Sequence, residues 1–105
     1  MDADLLAPGS VHWEVGNALS AMLKRARASA SQVDRALAAY GQIPLRFIDV
    51  DLQVALEVAA DHGLYAYDAY VIACAIGQRA PVLSLDRGLL HAAKAAGVER
   101  VEIPR

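Results

Sequence analysis

The sequence has one cysteine, Cys74, and no apolar run long enough to span a membrane. A single cysteine excludes an internal disulfide framework, and its apolar surroundings predict a buried, reduced thiol. The acidic start MDADLL lacks the basic residues of a signal peptide. We therefore predict a cytoplasmic protein with no membrane association.

Several catalytic motifs are also absent. There is no glycine-rich phosphate loop and no G-x-S-x-G nucleophile motif. His12, His62 and His91 are scattered, which disfavours a zinc site and predicts surface or capping roles for them. The net charge of −2 excludes an overall basic coat for nucleic acid, although a local basic patch stays possible.

What the chain does have is apolar residues. At 105 residues with 56% hydrophobic content, it is predicted to form one domain over residues 1–105. So small a domain has little interior, and this surplus favours a homo-oligomer or a partner that covers part of the surface.

Apolar periodicity and capping residues predict alternating helices and strands. Residues 1–10 are predicted to be a loop, without a strand before Pro8, and the first helix to pack through Val11, Val15, Ala18, Leu19 and Met22. The predicted helices are Ser10 to Ala28, Ser29 or Ser31 to Tyr40, Asp49 or Asp51 to Gly63, Asp68 to Gly77, and Arg87 to Ala96. The predicted strands are Leu45 to Val50, Pro81 to Leu85 and Val98 to Ile103. This alternation indicates an α/β fold with a mostly parallel sheet between helices.

Three acids stand out in this pattern. Asp86 follows a predicted parallel strand, at the sheet edge where such folds bind ligands, but an aspartate there is also a good N-cap. Asp68 offers the same two interpretations, and Glu14 is either a ligand or a solvated residue beside an apolar helix face. If the three acids converge, their mutual repulsion would be relieved by Mg²⁺ or Mn²⁺.

Other side chains are more ambiguous. Lys24, Arg25 and Arg27 form either a solvated helix end or an RNA contact, and the tyrosines at 65, 67 and 70 either pack or stack on bases. Cys74 is a poor nucleophile candidate because burial raises a thiol pKa.

Three segments contain the three acids: HWEVGNAL around Glu14, HGLYAYDAYVIACA around Asp68, and PVLSLDRGLLHAAKAAGV around Asp86. In order and spacing, they resemble the PIN-domain ribonucleases, specifically the VapC toxins of toxin-antitoxin pairs. The resemblance extends from Leu6 to Pro104 and implies a three-layer α/β/α fold. It also implies that Glu14, Asp68 and Asp86 belong to a metal site, supported by Ser84.

The resemblance implies a function as well. The acids would hold Mg²⁺ or Mn²⁺ for in-line hydrolysis of RNA, with tRNA or rRNA as target. The protein would be a homodimer held inactive by a cognate antitoxin. Arg87, next to Asp86, is our own candidate for a phosphate contact.

The chain departs from the family pattern at its start. The usual first strand with its aspartate is missing, so we expect an N-terminally truncated PIN-like domain. Asp2 and Asp4 do not replace that aspartate. Three hypotheses remain open: an endoribonuclease impaired by truncation, an inactive remnant that dimerises or binds an antitoxin, and acids that are merely helix caps.

Overall fold

The computed structural model describes residues 5–84 and 86–101. Over these ranges the chain has the predicted α/β class, with five helices and a two-stranded parallel sheet. The elements are β1 (Leu5–Pro8), α1 (Val11–Lys24), α2 (Ala30–Gly41), β2 (Leu45–Ile48), α3 (Leu52–His62), α4 (Ala66–Gln78) and α5 (Arg87–Ala95). They divide into two compact units, an N-terminal unit, Met1–Phe47, and a C-terminal unit, Ile48–Arg105.

The small sheet corrects the prediction of a loop before Pro8. Strand β1 pairs with β2, and Ala7 and Pro8 at its end are buried. Proline has no N–H to donate, so it is tolerated at a strand end or edge, although it obscures the strand in the sequence. Asp2 and Asp4 lie outside the described residues.

Helix α1 begins after Ser10, as predicted, but it ends at Lys24 instead of Ala28. Ala26 adopts a left-handed conformation with φ of 55°, and the Arg27 N–H donates to the Met22 carbonyl over 2.9 Å. This closure is a Schellman-type helix end. No residue of α1 is buried, so its apolar face is covered less than predicted. Among the described residues of this unit, the other elements that could cover that face are α2, the four-residue β1 and the first three residues of β2.

The structure shows which of two serines caps the second helix, a choice that the sequence left open. Ser29, and not Ser31, is the N-cap of α2, and its hydroxyl accepts a hydrogen bond from the Gln32 N–H over 3.1 Å. The Gln32 side chain in turn accepts from the Ser29 N–H over 2.8 Å, completing a capping box. As in α1, no residue of α2 is buried.

The C-terminal unit contains the apolar core. Helix α3 packs against α4, and Ile72 of α4 is fully buried. The core residues are Val58, Ala69, Ile72, Ala75, Val82, Leu89, Ala92, Ala93 and Val98. The prediction that the helix around Cys74 is buried on most of its sides is therefore confirmed.

The two predicted C-terminal strands are reduced to one isolated parallel bridge between Val82 and Arg100. The Val82 N–H donates to the Glu99 carbonyl, and the Val101 N–H donates to the Val82 carbonyl, both over 2.8 Å. The next N–H on that side, that of Ala80, donates to the Ala75 carbonyl over 3.0 Å at the end of α4, so it does not extend the bridge. Leu85, Glu102 and Ile103, which complete the predicted strands, lie outside the described residues.

The ends of α3 agree well with the prediction. Asp51, not Asp49, caps α3 by accepting from the N–H groups of Gln53 and Val54, and Gly63 ends the helix in a left-handed conformation. None of the helices in the described ranges is long and apolar enough to cross a membrane.

Candidate acidic site

Asp86 lies at the N-terminus of α5, where its own backbone is extended. Its Oδ1 accepts a hydrogen bond from the Leu89 N–H over 3.1 Å, so the predicted capping role is confirmed. The Asp86 N–H donates to the Ser84 hydroxyl over 3.0 Å. Ser84 therefore holds the Asp86 backbone at the start of α5, and its supporting role at a metal site stays a prediction.

Gly88 makes room for this arrangement, a role that was not predicted from the sequence. A Cβ at Gly88 would lie 3.2 Å from the Asp86 Oδ1 atom, closer than normal van der Waals contact. The available signal was a glycine in the first turn of a predicted helix, where glycine is unfavourable by about 1 kcal/mol relative to alanine.

The cap and the ligand interpretations of Asp86 do not exclude each other. The residue is exposed, and Oδ1 alone makes the capping bond. Within the described part of the chain, Oδ2 accepts no hydrogen bond. A cation can therefore approach Oδ2 while Oδ1 continues to cap α5.

Asp68 differs from Asp86 because, of its two predicted alternatives, cap or ligand, the capping one is wrong. The N-cap of α4 is Tyr65, which makes no side-chain capping bond, and Asp68 lies within the first turn. Its side chain is half-buried, and a negative charge is stabilised there by the helix macrodipole. Helix α4 begins earlier than predicted because Ala66 and Tyr67 also fit a helix.

Asp68 and Asp86 share a supporting structure. Ala69, next to Asp68, and Leu89, which donates to Asp86, belong to the same buried cluster. Both acids therefore stand at the beginnings of helices that one core holds in place.

Glu14 lies in the first turn of α1 and is half-buried. It belongs to the N-terminal unit, whereas the two aspartates belong to the C-terminal unit. Within each unit, the described His, Cys, Asp and Glu side chains form no group of three that could hold a metal ion. The convergence of Glu14 with Asp68 and Asp86 stays a prediction.

The basic candidates are all exposed. Lys24 is the last residue of α1, Arg25 is its C-cap and Arg27 follows in the helix-ending turn. Arg87 is the first residue of α5, directly after Asp86. Their contacts with RNA phosphates also remain a prediction.

The structure also bears on the predictions made for Cys74 and His12. Burial raises the pKa of the Cys74 thiol, as expected for a poor nucleophile. His12 is exposed, as predicted, but it also makes contacts: its Nδ1 lies 3.0 Å from the Tyr40 hydroxyl and its ring centroid lies 4.2 Å from that of Phe47. It links α1, α2 and β2, which sequence periodicity cannot reveal.

Comparison with known proteins identifies a family. The family model described as "PIN domain" matches residues 1–95. This range includes Glu14, Asp68, Ser84 and Asp86. A search of curated proteins found no match.

Proposed function

Because the chain belongs to the PIN-domain family, we propose that it is a metal-dependent endoribonuclease of the VapC type. PIN domains are in general nucleases that bind RNA and depend on divalent metal ions. The observation that carries the proposal is the family match, since it covers all three candidate acids. The substrate would be a phosphodiester bond of a tRNA or rRNA.

The donor chemistry fits a hard divalent cation. Glu14, Asp68 and Asp86 offer carboxylate oxygens alone, which suit Mg²⁺ or Mn²⁺ better than zinc. The available Oδ2 atom of Asp86 supports a ligand role for that residue. A bound ion would supply an activated water and stabilise charge on the phosphate.

The protein's own groups would position this chemistry. The Leu89 N–H would orient the Asp86 carboxylate, and the Ser84 hydroxyl would hold the Asp86 backbone N–H beside it. Arg87, the adjacent residue, would contact an RNA phosphate, and the basic residues at the end of α1 would attract the RNA backbone.

The wider role follows from the same proposal. The protein would be the cytoplasmic toxin of a toxin-antitoxin pair, a homodimer held inactive by its cognate antitoxin. Its apolar exposed residues, such as Trp13 at 69% exposure, support the existence of protein partners.

A second candidate function is an inactive PIN domain that dimerises or binds an antitoxin. The observation that favours it is that neither unit groups three potential metal ligands among its described residues. Under this alternative, the capping bond of Asp86 is its whole role.

Cleavage of RNA in Mn²⁺ by the Asp68→Asn and Asp86→Asn variants separates these functions. Asparagine caps a helix about as well as aspartate, so Asp86→Asn removes the charge and leaves the cap. The endoribonuclease proposal predicts a loss of cleavage of at least about 100-fold with an unchanged thermal midpoint. Asp61→Asn, at an exposed position of α3, is the matched control. Unchanged cleavage by both variants, or no cleavage by the unmodified protein, would contradict the proposal.

A further inference from the structure

Trp13 lies on the polar side of α1. The apolar residues Val11, Val15 and Leu19 lie along the other side of this helix and are half-buried. At about 100° per residue, Trp13 is on the side opposite to them, and it is 69% exposed. The packing of α1 on its own unit therefore does not explain the tryptophan. An exposed tryptophan in such a position is typical of a binding surface.

Three further residues follow Trp13 along the same side of the helix. They are Asn17, Ser20 and Lys24, which lie four, seven and eleven residues after it and are all exposed. With 3.6 residues per turn, all three fall within about 40° of the direction of Trp13. These four residues are named the α1 polar strip. The strip is about 16 Å long and combines an aromatic ring, an amide, a hydroxyl and a cation.

The Trp13 ring is braced by its neighbours and is still accessible. Its centroid lies 6.4 Å from that of His12, in an edge-to-face arrangement. The His12 ring is in turn held by the Tyr40 hydroxyl and by the Phe47 ring. Gly16, one turn further along this side, has no described atom within 4 Å of the position of a Cβ. There is therefore open space beside the indole for a flat group.

The charge near the strip favours a polyanion. The whole chain carries a net charge of −2, but residues 11–28 contain one acidic residue, Glu14, and three basic ones, Lys24, Arg25 and Arg27. An aromatic ring followed by hydrogen-bonding groups and cations is the combination that binds single-stranded nucleic acid. The apolar side of α1, of which no residue is buried, suits a protein partner better than this polar side does.

We propose that the α1 polar strip binds a single-stranded segment of RNA, with an unpaired base stacked on Trp13 and a phosphate on Lys24. Between them, the Ser20 hydroxyl donates to the Asn17 carbonyl over 3.0 Å, so its oxygen can accept from a ribose 2′-OH. Because Trp13 precedes Glu14, the stacked base would hold the strand beside one of the candidate acids. The inference rests on the proposed function in that RNA is the substrate, and it adds the form of RNA that is held.

The fluorescence of Trp13 reports on this contact directly, because it is the only tryptophan of the chain. A short single-stranded RNA, added without divalent metal so that it is not cut, is expected to quench the emission. The same RNA annealed to its complement should quench far less, because paired bases are not free to stack on a side chain.

The affinity of variants for a labelled single strand, measured by fluorescence anisotropy, tests the role of the ring. Trp13→Ala is expected to weaken binding by about tenfold or more, and Trp13→Phe, which keeps an aromatic face, by less than about threefold. Leu52→Ala removes an apolar side chain of α3 that is 57% exposed and is the matched control. It should leave the affinity unchanged.

The phosphate contact is tested by salt dependence. Lys24→Gln is expected to weaken binding of the single strand and to lower the slope of its salt dependence by about one contact. Lys94→Gln is the matched control, because Lys94 is an exposed lysine in the last turn of another helix, α5. It should change neither quantity.

Several results would overturn the inference. They are a chain that does not bind single-stranded RNA, binding that leaves the Trp13 emission unchanged, and a Trp13→Ala variant with undiminished affinity. An emission that shifts with protein concentration but not with RNA would show that a second copy covers Trp13, and would overturn it too.

Cleavage of the same RNA in Mn²⁺ separates this inference from the proposed function. Binding that depends on Trp13 without any cleavage would refute the nuclease proposal and leave the α1 polar strip intact. Cleavage by a chain whose affinity does not depend on Trp13 would refute the strip and leave the nuclease proposal intact.

Discussion

Both units of this chain contain apolar helices, but they bury the apolar residues to very different extents. In the C-terminal unit, α4 alone contributes five buried residues, with Ile72 fully enclosed. In the N-terminal unit, neither α1 nor α2 buries a single residue. The C-terminal unit therefore has its own core. The N-terminal helices are held by local hydrogen bonds, and their apolar surfaces remain available to partners.

The difference reflects how many sides of each helix meet another element. Helix α4 packs against α3, and its cluster also includes residues of α5 and of the Val82 segment. Helix α1 contacts α2, and the His12 ring joins them to β2 through Tyr40 and Phe47. Burial needs neighbours on several sides, and apolar composition by itself does not supply them.

The largest effect is expected from core truncation. Ile72→Ala should lower the free energy of unfolding by about 3 kcal/mol, because it leaves a cavity at a fully buried site. Leu37→Ala, at a residue of α2 that is 53% exposed, should change it by less than about 0.5 kcal/mol. Denaturant unfolding followed by circular dichroism measures both. Equal losses would show that the N-terminal unit is as well packed as the C-terminal one.

A smaller effect is expected at the helix caps. Asp51→Ala removes the acceptor for two N–H groups of α3 and should cost about 1 kcal/mol. Ser10→Ala at the start of α1 should cost nothing, because the buried Ser10 hydroxyl has no hydrogen-bond partner in the described residues. Thermal unfolding of the two variants gives the comparison. If Ser10→Ala lowered the stability as much as Asp51→Ala does, the Ser10 side chain would be acting as the N-cap of α1.

Effects no larger than those at the caps are expected at the left-handed residues that end α1 and α3. Ala26→Gly should stabilise the chain by about 0.5 kcal/mol, because φ of 55° is strained for alanine. Gly63→Ala should destabilise it by about 1 kcal/mol, since no atom lies within 4 Å of the added Cβ and only backbone strain acts. Chemical denaturation midpoints show whether each substitution stabilises or destabilises the chain. A destabilising Ala26→Gly would contradict the assigned helix end.

Much of the local structure could be predicted because it depends on residues close in sequence. Ser29, Asp51 and Asp86 cap the helices that follow them. Each cap acts through side-chain oxygens that reach two or three residues ahead, so residue type and position suffice to predict it. For Asp68, which the sequence left open as a cap or a ligand, the capping alternative is wrong, because the residues before it are equally compatible with a helix.

The errors concern contacts between distant segments. Strand β1 was missed because four residues ending in proline carry little β pattern, and its pairing with β2 defines it. The segments around Val82 and Arg100 have a strand pattern, yet among the described residues they form one bridge. Which segments pair, and over what length, depends on where the rest of the chain brings them.

In the candidate site, too, the local features follow from the sequence and the longer-range ones do not. The sequence determined that Asp86 follows an apolar segment and begins a helix, and that Asp68 belongs to a buried one. The tertiary structure decided that Asp68 lies inside its helix, that Gly88 leaves space for the Asp86 carboxylate, and that one core supports both helix beginnings. It also decided that the apolar face of α1 is left partly exposed. The physical reason is how far apart in the sequence the interacting residues are. A cap acts within one helical turn, whereas burial requires packing between residues that are distant in the sequence.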